Sequence, residues 1–496
     1  MSSPGQIPFN SFINLNRKDQ TSIYVQLAQQ IIQAIQRGFI PVGTKLPGSR
    51  QLAQALSIHR NTVVAAFQEL EAQGWIAIKA NIGSYVLKNT SKAKKNSEPI
   101  DLSFQNQYAV HTGYDFEKST ILEDPFESNT CSLKLDDGIP DSRLSPLQQL
   151  SKFYTANLKR KKNAKYLGYT HQGRPATFRE QLCNFLNQSR GLHIQPKNLL
   201  ITRSVELSIF VITQTLLQPN DLVIVGQPSY FATNMIFQQA GAKIKSIPVD
   251  EEGISIEALE QICQTQNIRL LYLTPHHHYP TTVTLSPQRR SAVLELASKY
   301  GFAILEDDYD YDFHYDQAPL MPMAAVDYQG MVIYTGSFGK SLAPGFRTGF
   351  IVAPENLIAE LQKLLNLLDH QGDFVMEQVL SDLIEEGEIH RYLKKSSKLY
   401  QERRNYMSYL LARDLHEYVD FHIPDGGLAL WTNWKKEINL IQLSKECAKA
   451  NLFLPKTILY QAKDISAIRI GFGSLNQSEM EKSVEIIVKS LAILKQ

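Results

Sequence analysis

The chain has 496 residues, 43% of them hydrophobic and 20% charged, the composition of a folded globular protein and not of a wholly disordered one. That length exceeds one ordinary core, so two domains are expected. No run approaches the roughly 20 consecutive apolar residues of a membrane span, and MSSPGQIPFNSF lacks the basic and apolar regions of a signal peptide.

The four cysteines, Cys131, Cys183, Cys263 and Cys447, lie far apart and form no CxxC. Neither a disulfide framework nor a metal site is expected, and the expected compartment is the cytoplasm. The net charge of +2 conceals an asymmetry. Residues 1–95 hold eleven Lys and Arg against three acids, a net of +8, and the remainder holds 40 bases against 46 acids, a net of −6. A basic arm on an acidic body points to nucleic-acid binding by the arm.

Taken in chain order, Ile23, Leu27, Ile31 and Ile35 recur at helical spacing and predict an amphipathic helix over Ile23–Gln36, ended by Gly38. A short helix follows from Ser49, with Ser49 as its expected cap. After the break SIHR, a third helix is expected over Asn61–Gln73, capped by Asn61 and stopped by Gly74. Trp75 to Val86 reads as two short strands around Asn81-Ile82-Gly83. Three helices and a hairpin in this order predict a winged helix-turn-helix over residues 20–88. The polar, basic stretch from Lys88 to Pro99 reads as a linker. Residues 89–135 are assigned to the linker and a segment with no readable pattern.

From 136 to 496 the pattern changes. Apolar runs at 198–202, 221–226, 268–274, 301–307 and 331–337 alternate with helical stretches such as Val205–Leu217 and Pro287–Lys299. This predicts an α/β domain with a mostly parallel sheet, whose ligands bind beyond the carboxyl ends of the strands. Neither GxGxxG nor GxxxxGK[ST] is present, which removes the dinucleotide and P-loop readings.

The strand GFAILE runs into Asp307-Asp308-Tyr309, and the next, MVIYT, runs into Gly336-Ser337-Phe338-Gly339-Lys340, with Arg347 seven residues on. A lysine amine can form a Schiff base with an aldehyde, and a buried carboxylate can hold a pyridine nitrogen protonated. Ser337 and Arg347 can bind a phosphate. The set suits a phosphorylated heteroaromatic cofactor. His276-His277-His278 invites a metal reading, but adjacent side chains cannot converge on one ion, so none is expected.

SxxK followed by PGxRxG, with an upstream EDDYD, resembles the pyridoxal-phosphate enzymes of fold type I, of the class I aminotransferase kind. DGIPDSRLSP, GYTHQGRPATFRE, ITRSVELSIF, GQPSYFA, TPHHHYPTTVTLS and IRIGFG resemble further segments of that family. The resemblance implies pyridoxal 5'-phosphate as cofactor, with Lys340 as the Schiff-base residue and Asp307 and Tyr309 beside it. Ser204, Val205 and Glu206 would lie at the helix start that cradles the phosphate. Tyr230 would stack on the ring, Tyr279 would stand where the family's Asn meets the ring oxygen, and Arg469 would hold a ligand carboxylate. Five positions depart from the pattern: Tyr279 for Asn, His278 for Gln, Thr282 for the turn Gly, Ser204 for the phosphate-loop Gly, and Glu206 for Gln, which puts a carboxylate near the expected phosphate.

The first 85 residues resemble the GntR-type winged helix, and the two parts in this order resemble MocR-type transcriptional regulators. On that resemblance Arg60, Asn61 and Thr62 begin the recognition helix, and Lys45, Ser49 and Arg50 are placed for backbone or groove contacts on double-stranded operator DNA. The implied function is a homodimeric regulator that senses pyridoxal phosphate or a small amino compound. The alternative is an active aminotransferase carrying a DNA-binding domain.

Overall fold

The computed structural model describes residues 9, 12–17, 21–79, 82–87, 110–122, 129–168, 176–316, 318–342, 344–369, 372–455 and 465–495. The linker bases Lys92, Lys94 and Lys95 lie outside these residues, as does most of GYTHQG in the segment beginning at Gly168. The chain divides into two compact units, Met1–Asp115 and Phe116–Gln496.

In the first unit, α1 (Ile23–Gln36), α2 (Ser49–Ala55) and α3 (Arg60–Ala72) precede a hairpin of β1 (Ile76–Lys79) and β2 (Gly83–Val86). α1 buries Leu27, Ile31 and Ile35, three of the four residues that carried its periodicity. α3 buries Val63, Ala66, Phe67 and Leu70, a stripe at i, i+3, i+4 and i+7 that leaves its opposite face outward. Two expected caps are corrected. α3 starts at Arg60, and its cap is His59, whose Nδ1 accepts the Asn61 N–H at 3.2 Å. The imidazole supplies the acceptor, so the Asn61 side chain stands exposed at the helix start. Ser49 is the first helical residue of α2; Gly48 precedes it as an extended cap with no side-chain bond.

The second unit is built on a sheet of eight strands among the described residues. In chain order these are β3 (Leu199–Thr202), β4 (Leu222–Gln227), β5 (Lys243–Asp250), β6 (Gly253–Ile254), β7 (Ile268–Leu273), β8 (Ala303–Asp308), β9 (Val332–Ser337) and β10 (Gly349–Val352). They lie side by side as β3-β10-β9-β8-β7-β4-β5-β6. The pairs β8–β9, β7–β8, β4–β7 and β4–β5 are parallel, while β10 runs antiparallel to both its neighbours. The central strands are apolar and buried on both faces, as parallel sheets require.

Three strands of this sheet escaped the apolar-run reading for identifiable reasons. β5 has the sequence KIKSIPVD and is half exposed, β6 is only two residues long, and β10 is only four residues long and comes just after the PGFR turn. A smaller antiparallel sheet holds β11 (Val419–Phe421), β12 (Ala429–Trp434) and β13 (Ala467–Gly471).

Thr282 sits at φ +64°, the left-handed region that a β-branched residue rarely adopts. The turn is closed by the Thr282 N–H donating to His278 O and the His278 N–H to Val283 O, both at 2.7 Å. Thr282→Gly therefore removes strain without opening the turn. It should stabilise the fold by about 1 kcal/mol in chemical denaturation; a loss of stability would show that Thr282 packing outweighs its backbone cost.

Candidate functional site

On the first unit, Lys45, Arg50, Arg60 and Asn61 are exposed, and Ser49 and Thr62 are half-buried. Arg60 Nε donates to Ser49 Oγ at 3.4 Å, which ties the starts of α2 and α3 together. Lys45 meets the hairpin through a bridge to Tyr85 and lies 5.9 Å from that ring's centre, with Lys79 at 5.6 Å. A Cβ on Gly83, at φ +128°, would stand 2.7 Å from Lys45 Cε, so this glycine lets the lysine cross the hairpin. The hairpin tip carries the exposed apolar Ile82 where a basic residue would suit groove insertion.

In the second unit, Asp307 is the penultimate residue of β8 and Ser337 ends the parallel neighbour β9, both at carboxyl ends. They border a cavity of about 540 Å³. Its wall includes Ser204, Val205 and Glu206 at the start of α4 (Val205–Leu216), together with Tyr230, Tyr279, Tyr309, Lys340 and Arg347. All ten residues expected from the sequence to contact a cofactor are brought together there. Arg469 is not in the wall but stands behind it. Its guanidinium lies 4.9 Å from the Tyr279 ring centre and 3.4 Å from Tyr309 Oη.

The wall has five members to which the sequence assigned no role: Asp137, Tyr272, Thr274, Gly339 and Thr348. Tyr272 sits inside the apolar run IRLLYLT and looks like a core aromatic, yet its hydroxyl donates to Asp307 Oδ2 at 2.8 Å. Asp137 precedes the GIPD motif. Its Oδ2 accepts the Tyr279 hydroxyl at 2.6 Å, and its Oδ1 lies 3.1 Å from Arg469 Nε.

α4 is capped by Ser204, whose Oγ accepts the Leu207 N–H at 3.1 Å. This orders the first turn, where unpaired amides and the helix dipole favour an anion. Gly349 is required beside it, because a Cβ there would lie 2.8 Å from the Ser204 carbonyl carbon.

The electrostatics differ sharply between neighbours. Asp307 is buried, and its Oδ1 has no hydrogen-bond partner. Burial pushes its carboxyl up to about 7, against the Tyr272 hydrogen bond, with Glu206 and Asp308 adding repulsion. Burial also acts on Asp308, but His276, Arg190 and the Tyr334 hydroxyl outweigh it and hold that carboxyl at about 2. Lys340 is lowered by burial, with Asp310 opposing, and its Nζ lies 4.5 Å from the Tyr309 ring centre. A lowered amine pKa raises the fraction of neutral, nucleophilic lysine.

The three adjacent histidines have separate partners. His276 Nε2 meets Leu320 O, His277 Nδ1 meets Asp310 Oδ1 and His278 Nδ1 meets Thr281 Oγ1, each at 2.7 or 2.8 Å. Burial holds the His278 imidazole near 3, and therefore neutral. The His277 carbonyl accepts the Tyr309 hydroxyl at 2.9 Å, so this loop positions the tyrosine under Lys340.

Residues 133–487 match the aminotransferase class I and II family, and residues 23–86 match the gntR family of bacterial regulatory proteins. The chain belongs to the aminotransferase class I and II family, with the fold-type-I architecture of pyridoxal-phosphate enzymes. Joined to an N-terminal gntR-type helix-turn-helix, it has the arrangement of MocR-type transcriptional regulators. The HTH-type transcriptional regulator YisV of Bacillus subtilis is 25% identical over 470 residues, covering 95% of this chain and 96% of its own. The probable rhizopine catabolism regulatory protein MocR of Rhizobium meliloti is 23% identical over 436 residues, covering 84% of this chain and 82% of its own. Among solved structures, the kynurenine aminotransferase of Pyrococcus horikoshii, in complex with PMP, superposes with a TM-score of 0.68 at 25% identity. It covers 74% of this chain and 92% of its own.

The Asp307 environment generates a pH-dependent prediction for the cofactor-free protein. Its pKa in the fold, about 7, lies above the ordinary 3.8. Its charging therefore costs nothing below pH ~4, rises between pH ~4 and ~7, and is complete above ~7. Asp307→Asn should stabilise the cofactor-free chain by roughly 1–3 kcal/mol at pH 8 and hardly at all at pH 4. Equal effects at both pH values in denaturant titrations would contradict this.

Proposed function

We propose that the chain is a pyridoxal-phosphate-dependent transcriptional regulator that binds operator DNA through its first unit and senses the cofactor, or a small amine reacting with it, in the second. The observation that carries this reading is the cavity at the carboxyl ends of β8 and β9. There Lys340 stands with a buried Asp307 oxygen that lacks a partner, in a chain that also carries a winged helix.

The wall fits the cofactor. Asp307 Oδ1 is an acceptor suited to a protonated ring nitrogen, and the pairing would relieve a buried charge. The amides at the α4 start, Ser337 and Arg347 suit a phosphate dianion, against the repulsion of the Glu206 carboxylate in the same turn. Tyr230 offers an aromatic face, standing 4.6 Å from Tyr279 between ring centres. When bound, the cofactor supplies an aldehyde that amines condense with and a ring that withdraws electrons. Lys340 would hold that aldehyde, Asp307 would keep the ring nitrogen protonated, and Tyr309 packs against the lysine.

Proteins of this fold assemble their sites as homodimers, and two winged helices on one dimer would read spaced half-sites on double-stranded DNA. Among the described residues no helix is long and apolar enough to cross a membrane. Operation in the cytoplasm, where the DNA is, completes the proposal. A physiological aminotransferase is the second reading, favoured by Lys340, Asp307 and Tyr309 sharing one cavity. Conversion of the bound cofactor to its amine form by an amino donor, with turnover, would support it.

Pyridoxal phosphate added to the full chain should give a visible absorption band that resists dialysis, and Lys340→Ala should abolish it. A band that persists in the variant would exclude Lys340 as the attachment point. On DNA upstream of the gene, Arg50→Ala and Arg60→Ala should each weaken binding by about 1–3 kcal/mol in gel-shift titrations. Unchanged affinity in both variants would refute this placement of the recognition helix.

A further inference from the structure

Arg469, the residue placed to receive a ligand carboxylate, already has one. It is buried to 1% exposure, and its Nε lies 3.1 Å from Asp137 Oδ1. Its Nη1 donates to Pro280 O at 2.8 Å and its Nη2 to Tyr309 Oη at 3.4 Å. The second Asp137 oxygen takes the Tyr279 hydroxyl at 2.6 Å.

Asp137 is fixed in this place by its own neighbours. Asp136 Oδ1 accepts the N–H groups of Gly138 and Ile139 at 2.9 and 3.0 Å, and Ser474 Oγ donates to Asp136 Oδ2 at 2.8 Å. The backbone N–H of Gly471 donates to Asp136 O at 2.8 Å, and a Cβ on Gly471 would stand 2.3 Å from Asp136 Oδ1. Gly471 thus lets the 136–138 segment lie against β13, two residues from Arg469. Asp137 remains 36% exposed on its side chain and lines the cavity, so it can meet a ligand directly.

We propose that Asp137 is a specificity-determining residue that occupies Arg469 with the protein's own carboxylate, so that the amine recognised here carries no carboxylate beside its amino group. This rests on the cofactor reading above and names the ligand class for the same site. A ligand carboxylate would have to displace Asp137 from a buried guanidinium, leaving Asp137 without its counter-charge beside a second anion. The remaining wall offers that anion little. Glu206 and Asp307 add two more carboxylates, and Lys340 and Arg347 are the residues that would hold the cofactor. A hydroxyl, amide or ammonium group on the ligand instead finds an acceptor in Asp137.

The test uses the full chain loaded with pyridoxal phosphate and two matched probe pairs, tyramine with tyrosine and cadaverine with lysine. Binding is followed by calorimetry and by the shift of the cofactor band. In the wild type each amine should bind about tenfold or more tighter than its parent amino acid, and Asp137→Asn and Asp137→Ala should erase or invert that preference. Two variants are used so that loss of one fold leaves the other, and retention of the band reports an intact site. Amino acids binding the wild type as tightly as the amines, no binding of either class, or a preference unchanged in both variants would overturn this inference alone. A wild type without a Lys340-dependent band would overturn the cofactor reading and this inference together.

Discussion

Asp307, at the carboxyl end of a buried parallel strand and one residue before its last, has one oxygen bonded to Tyr272 and the other unpartnered, and the site is arranged around that unsettled charge. A carboxylate removed from water without a counter-charge costs several kcal/mol, which the surrounding core must offset. The offset comes from strands paired in parallel on both sides of β8, with apolar faces covered above and below. A cation delivered to that oxygen would remove the cost, so above pH ~7, where the carboxyl is charged, a cationic ligand would stabilise the fold.

Adjacent residues on one strand are put to opposite uses. Asp308 points away from the cavity to Arg190, His276 and Tyr334 and is held ionised as part of the frame. Asp310 does the same through His277, whose carbonyl in turn positions Tyr309. The alternation of side chains along a strand and the turn after it separates the three carboxylates into one facing the cavity and two that brace it. The Thr282 turn belongs to the same frame, since it closes the loop that carries all three histidines.

The parts legible in the sequence were those written locally. The winged helix announced itself through the 3.6-residue spacing of Leu27, Ile31 and Ile35, and the cavity through Asp307, Ser337, Lys340 and Arg347 at the ends of consecutive apolar runs. Tyr272 was hidden because an aromatic inside a strand reads as core. Asp137 was hidden for a different reason: its partner Arg469 is 332 residues away, and the meeting depends on a glycine at 471 that only the folded backbone explains. The cap of α3 was misread by two residues, since Asn61 is the stronger capping type, whereas His59 supplies the acceptor through its own ring nitrogen.

The net charge also acquires a meaning. A +8 segment and a −6 remainder match the proposed division between a part that binds DNA phosphates and a part that binds a cofactor and an amine. If the chain is a regulator that reads one with the other, the two affinities must be thermodynamically coupled. The most direct measurement is the affinity for operator DNA with and without saturating pyridoxal phosphate, in the wild type and in Lys340→Ala, at one fixed salt concentration. The cofactor, or an amine added to it, should shift DNA affinity in the wild type and leave the variant unmoved. Identical DNA affinities under every ligand condition would contradict it.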